Sequence, residues 1–219
     1  MRYFDNRHSA GEMLAEGLKK YKSENCAVIA LSEGGIVVAI EIAKKLHSSL
    51  FLLVTEDVRL PGEEHKPVAT VSSSGSFTYN NEYSTGELEA INSDYHTVIE
   101  QQRMLAFQKL NRVGDDEAKI PKMLLKNHVV IFVSDGLRNG LSLDVAADFI
   151  KPIKVKKIIT AVPVASVRAV DRMHLLSDEI QCLSVVEDFM ETDHYYKENL
   201  MPEHNKIIET MKDITLSWR

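Results

Sequence analysis

Between Val129 and Asp148 the chain reads VVIFVSDGLRNGLSLDVAAD. An apolar run ends, the polar pair Ser134-Asp135 follows, and Gly136 and Gly140 precede a helix starting at or near Ser142. Both glycines are able to take positive φ, which folds a loop tightly with its amides turned inward. Such a nest, closed by a helix N-terminus, favours an anion through its N–H donors and the helix dipole. Asn139 and Ser142 add side-chain donors and Arg138 adds positive charge, so a phosphate is the natural guest. The same spacing also describes an ordinary strand-turn-helix in which Ser142 only caps the helix. It is neither a Walker loop nor a G-x-G-x-x-G fingerprint.

Other chemistries find less support. Ser134 sits where a nucleophile elbow would place a serine, but the first glycine of G-x-S-x-G is missing. The histidines show no H-E-x-x-H and no paired Cys/His spacing, and Asp193-His194 with Glu198 and His204 reads as a solvated surface rather than a metal site. No metal ligand is identified directly. Cys26 and Cys182 each adjoin an apolar run and read as buried structural thiols. The basic run Lys151 to Lys157 reads as a polar connection into a strand.

The elements that must hold the loop come from hydrophobic patterning. Cys26 to Leu31, Leu50 to Val54, Val129 to Val133 and Ile158 to Val162 read as strands buried on both faces, with Ile180 to Val185 as a fifth. Amphipathic stretches lie between them: Ala10 to Tyr21, Ile36 to Leu46, Leu141 to Ile150 and Val167 to Leu176. Alternating buried strands and helices predict an α/β fold around a mostly parallel sheet, with ligands beyond the carboxyl ends of the strands. Glu56 to Asn81 reads as short strands or a hairpin with mobile turns, and Ile91 to Val113 as a long surface helix ending at Gly114, with Asp115-Asp116-Glu117 a solvated loop. The chain reads as one domain over residues 1–219, with an insertion at roughly 56–126.

Composition fits that picture. Of 219 residues, 44% are hydrophobic and 26% charged, which excludes disorder and fibrous repeats. A net charge of −6 argues against a nucleic-acid partner or an anionic membrane surface. Without a signal-like N-terminus or an apolar run of membrane-spanning length, the expected location is the cytoplasm.

The Val129–Ser142 run resembles the phosphoribosyl diphosphate (PRPP) binding motif of type I phosphoribosyltransferases, which has hydrophobics, two adjacent acids and a small-residue loop. The likeness extends to a bacterial branch of predicted phosphoribosyltransferases. Phe4-Asp5-Asn6-Arg7 with Ala10-Gly11 is similar to its F-x-D-R-x-x-A-G opening. Ala30 to Ala39, ALSEGGIVVA, is similar to its A-L-P-R-G-G-V-P-V-A. Ala161 to Ala165 resembles its V-P-V-A stretch, and Asp178-Glu179, Cys182, Phe189 and Tyr195-Tyr196 its C-terminal pattern.

The resemblance implies a type I phosphoribosyltransferase-like fold and transfer of ribose phosphate from PRPP, with Mg²⁺, to a nitrogenous acceptor. It implies a small phosphate ligand (PRPP, ribose phosphate or a nucleotide) and, as a further expectation, a homodimer. Ser134, Asp135, Gly136, Leu137, Arg138, Asn139, Gly140, Leu141 and Ser142 would hold ribose and its phosphate, with Asp135 the surviving ribose-binding acid and the candidate catalytic residue. Ser32, Glu33, Gly34 and Gly35 would form the diphosphate turn. Arg103, Val162, Pro163, Val164, Phe189 and Tyr195 would supply a hood or base site. The departures fall on the chemistry. Ser134 replaces the first acid, and losing a hydrogen bond to a charged group costs roughly 1.5–3 kcal/mol. Glu33 replaces an arginine beside the diphosphate turn, and Asn139 a threonine of the loop. A non-transferring ribose-phosphate or nucleotide binder is therefore the alternative reading.

Overall fold

A computed structural model describes residues 3–62, 66–113 and 120–217. Strands β1 (Cys26–Ala30), β2 (Ser49–Leu52), β6 (Val129–Val133), β7 (Lys157–Ser166) and β8 (Glu179–Val186) form a five-stranded sheet in the order β2-β1-β6-β7-β8. Every neighbouring pair in it is parallel. The apolar runs have the cause expected of them, because successive side chains point to opposite faces and both faces are covered. Val28, Ala30, Ile131 and Val133 face helices α1 (Arg7–Leu18), α2 (Glu33–Leu46) and α7 (His204–Ser217). Ala27, Ile29, Val130 and Phe132 face α5 (Leu141–Ile150) and α6 (Val167–Leu176). This is the α/β architecture that the patterning predicts.

Two differences bear on the site. Strand β7 runs on to Ser166, past the expected end at Val162, because β8 pairs with it as far as Ser166. Pro163 is tolerated there: β6 ends opposite Ala161, so the missing N–H breaks no ladder on that side. Helix α7 has no counterpart in the reading above, although Ile207, Met211 and Ile214 repeat at helical spacing and pack against the core.

Between β2 and β6 lies a second, antiparallel sheet of β3 (Thr55–Val58), β4 (Ala69–Ser72) and β5 (Phe77–Tyr79), the short strands of the two readings given for this segment. It packs on helix α3 (Thr85–Val113), with Val58, Val68 and Val71 against Ile99, Ala106 and Leu110. Helix α3 starts before the expected Ile91 and is kinked at Tyr95, and a short α4 (Lys122–Leu125) leads into β6. Gly114 and Asp115-Asp116-Glu117 lie outside the described residues. Thr78 and Asn81 tie this region to α5, donating to Asp148 Oδ2 (2.8 Å) and Asp144 Oδ2 (2.7 Å). Among the described residues, no helix is long and apolar enough to cross a membrane.

Candidate functional site

The loop after β6 sits at the carboxyl edge of the sheet and is stitched to β7. Leu137 N donates to Val164 O (3.0 Å), Ser166 N to Leu137 O (2.9 Å) and Ser166 Oγ to Arg138 O (2.5 Å). Gly140 takes φ 78°, the left-handed region expected of it, and occupies the N-cap position of α5. Ser142 is therefore not the cap, since the helix begins one residue before it. Gly136 has no positive φ. It is glycine because a Cβ there would lie 2.9 Å from Thr192 Cγ2 and 3.1 Å from Phe189 Cζ.

Asn139 acts as an acceptor, taking Leu141 N at 3.2 Å, and Arg138 Nη2 donates to Met190 O at 3.0 Å. Among the described residues the amides of Arg138, Asn139, Gly140 and Ser142 donate to no protein acceptor. Unclaimed donors at the start of α5 form an anion-favouring arrangement. Asp144 lies in the first turn of the same helix, but Arg172 binds its carboxylate, and burial pushes its pKa up.

Ser134 and Asp135 turn the other way. Ser134 is buried, and its Oγ donates to Gly136 O at 2.9 Å within the loop's own turn. Asp135 is 7% exposed, and both of its carboxylate oxygens are engaged: Oδ2 by Arg7 Nε (2.8 Å) and Oδ1 by Ser32 Oγ (2.9 Å). Its carbonyl accepts from Tyr196 Oη at 2.5 Å. Arg7 also donates to Asn199 Oδ1 (3.1 Å) and Asp193 Oδ1 (2.5 Å) and lies over the Tyr196 ring. Burial alone would lower the Arg7 pKa, but its bonds to Asp193 and Asp135 carry it above the ordinary value. Burial, with the charge of Asp135 adding to it, pushes the Tyr196 phenol up, so it stays a neutral donor.

The expected diphosphate turn is packed into this network. Ser32 caps α2, accepting from Gly35 N at 2.8 Å, and Glu33 is already in the helix. A Cβ on Gly34 would lie 1.9 Å from Asp135 Oδ2, and one on Gly35 would lie 3.0 Å from Val133 O. These glycines serve close approach rather than unusual φ.

A cavity of about 510 Å³ opens beside the loop after β6. The loop lines it with Gly136, Leu137, Arg138, Asn139, Leu141 and Ser142, and Phe189, Met190, Glu191 and Thr192 form a second wall. The third wall is Thr55, Asp57 and Thr70 of the second sheet with Arg59 and Pro67 of the β3–β4 connection, none of which the sequence reading took as a site residue. Ser32 to Gly35, Ser134 and Asp135 are not among its lining residues.

The remaining hood candidates divide. Phe189 lines the cavity, while Tyr195 is buried behind it, ring centroids 5.2 Å apart, with its hydroxyl accepting from Met190 N. Val162, Pro163 and Val164 are buried in β7, and Val164 spends its carbonyl on the loop. Arg103 is on α3, paired with Glu100 (3.4 Å) and set over Phe77, and does not line the cavity.

Magnesium, implied with PRPP, finds no ready ligand set among the described residues: no three His, Cys, Asp or Glu side chains cluster there to hold a metal, and both Asp135 oxygens are taken.

The chain resembles proteins of matching architecture. A crystal structure of TT1426 from Thermus thermophilus superposes with a TM-score of 0.74 and 27% identity, covering 100% of this chain and 99% of that one. "Putative phosphoribosyl transferase Rv0571c" of Mycobacterium tuberculosis is 25% identical over 210 residues. That alignment takes in 95% of this chain and 46% of the relative, so the chain spans about half the length of the curated relatives it matches. The family model for the phosphoribosyl transferase domain matches residues 3–197, which takes in Arg7 with Asp135 and Asp193, both strand-to-helix turns and the cavity walls. The chain belongs to the phosphoribosyl transferase domain family.

Proposed function

We propose that this protein binds the phosphate end of a ribose phosphate, nucleotide or PRPP on the loop from Gly136 to Ser142. The observation carrying this reading is the set of unclaimed amides at Arg138, Asn139, Gly140 and Ser142 beside the cavity. They stand at the helix end where backbone donors and dipole act together on an anion. Phe189 forms the wall against which a flat ring at C1 would rest. In the family's reaction, ribose phosphate passes from PRPP with Mg²⁺ to a nitrogenous acceptor. Here the protein's part would be positioning and charge stabilisation.

A second reading, a binder without transfer, is favoured by the carboxylate of Asp135. Expected on the ribose hydroxyls, it is held instead by Arg7 and Ser32, and Ser134 supplies no second acid. Calorimetric titration with PRPP, with and without Mg²⁺, beside ribose 5-phosphate and a nucleoside monophosphate tests both. Mg²⁺-dependent PRPP binding tighter than ribose 5-phosphate supports transfer. Equal binding of all three supports the non-transferring binder, and silence from every ligand sinks the phosphate-loop reading.

A further inference from the structure

Strand β3 has a sidedness that its own core does not require. Thr55 and Asp57 alternate along β3 and so share one side of the strand, and both line the cavity together with Arg59, the first residue beyond the strand. On the other side Val58 is buried against α3, and Glu56 reaches Lys109 at 2.6 Å. Asp57 has no oxygen to spare. Its Oδ1 accepts from Thr70 Oγ1 (3.1 Å), the residue opposite in register, and its Oδ2 from Arg59 Nη2 (2.6 Å). Asp57 is thus occupied in positioning Arg59. The Arg59 side chain is 50% exposed, and a guanidinium carries five N–H donors in a planar fork, so donors remain for a ligand.

We infer that Arg59 selects the ligand: with a phosphate on the loop amides, its guanidinium takes a carboxylate at the far end of the same molecule. The inference rests on the phosphate-loop reading above. A fork of parallel donors matches a planar carboxylate in two bonds, which a neutral amide cannot reproduce. A second phosphate suits the cavity less well, because Asp57 and Glu191 also line it and a dianion meets more repulsion than a single charge. The class selected is a ribose phosphate whose C1 substituent bears a carboxylate.

Nicotinic acid mononucleotide and nicotinamide mononucleotide are suitable probes, because they differ only in carboxylate against carboxamide. Calorimetry on the full chain is expected to show the acid binding about tenfold tighter or better, as charge-assisted hydrogen bonds imply. Arg59→Gln abolishes that preference, bringing the acid to the affinity of the amide, while ribose 5-phosphate still binds. Asp57→Asn, which releases the guanidinium, weakens the preference without removing it. Equal affinity of the two probes for the unaltered protein overturns the inference, as does a preference that survives Arg59→Gln. If ribose 5-phosphate itself fails to bind, the phosphate-loop reading falls and takes this inference with it. If ribose 5-phosphate binds but the probes are not distinguished, only the role of Arg59 falls.

Discussion

Two strand-to-helix turns stand side by side at the carboxyl edge of the sheet, one after β1 and one after β6, and they are built to opposite ends. The first is closed. Ser32 spends its hydroxyl on Gly35 N and Asp135, and Gly34 leaves only enough room for the Arg7–Asp135 pair to cross it. The second is open, with backbone donors unclaimed and a cavity before them. Similar composition therefore gives a fastening in one place and an open turn in the other. What separates them is where the charge pair sits: Arg7–Asp135 crosses the closed turn, whereas Arg172–Asp144 leaves the amides of the open one unclaimed.

Removing the fastening should have the largest effect. Arg7→Leu strands the Asp135 carboxylate with one hydroxyl partner and is expected to cost about 3–5 kcal/mol of stability, as for other broken buried pairs. Urea unfolding reads this directly. A stable variant that has lost ribose 5-phosphate binding would break the comparison, because it would move the closed turn into the ligand site.

The reciprocal change falls on the open turn. Gly140→Ala forces a side chain into φ 78° and against Arg172 Cβ at 3.0 Å. The left-handed region costs such a residue roughly 1–2 kcal/mol. The displaced amides should weaken ribose 5-phosphate by about tenfold or more, since bonds to a charged group contribute about 1.5–3 kcal/mol each. Unaltered affinity in calorimetry would show that the loop is not the receptor.

How far the sequence discloses this contrast depends on the range of the interactions. The sheet is legible because runs such as VVIFV can only be buried on two faces, and both β1 and β6 are fully buried. The turn after β6 is legible from Gly140, whose positive φ is a local property. Asp135 is not legible in the same way: its partner Arg7 lies 128 residues away, and no local pattern reports that the carboxylate is already engaged. Gly136 misleads for a related reason, since the demand for glycine comes from Thr192 and Phe189 rather than from the turn. The alternation Thr55, Asp57, Arg59 is visible in the letters, but not which side faces a cavity.

A control lies at the opposite edge of the sheet, where Lys157 (2.7 Å), Lys20 (2.8 Å) and Tyr21 (2.5 Å) converge on Glu179. Burial would raise the Glu179 pKa, but those bonds outweigh it and bring it from 4.5 down to about 2. A depressed carboxylate contributes stability that is present above its unfolded pKa and lost as pH falls through the folded value. Unfolding free energy should therefore drop between pH 4.5 and about 2. Glu179→Gln should flatten that limb while leaving ribose 5-phosphate affinity at neutral pH unchanged. A change in that affinity would mean the two edges are coupled.

The smallest effect is expected at Glu33, in the first turn of α2. Glu33→Gln removes a charge that favours the helix N-terminus and should cost about 0.3–1 kcal/mol at low salt. Thermal melting at low and high ionic strength checks this, since added salt should erase the difference. A gain in PRPP affinity in the same variant would show that the closed turn still senses diphosphate.

The stitching of the loop after β6 to β7 gives it a built-in reporter. Amides held in hydrogen bonds exchange with deuterium slowly, at rates set by local opening, and unbonded ones exchange fast. Leu137 and Ser166 belong to the first class, and Arg138, Asn139, Gly140 and Ser142 to the second. An anion that seats without rearranging the loop slows the second group alone. Occupancy can then be followed at named backbone positions, against an internal standard a few residues away, with no label on protein or ligand.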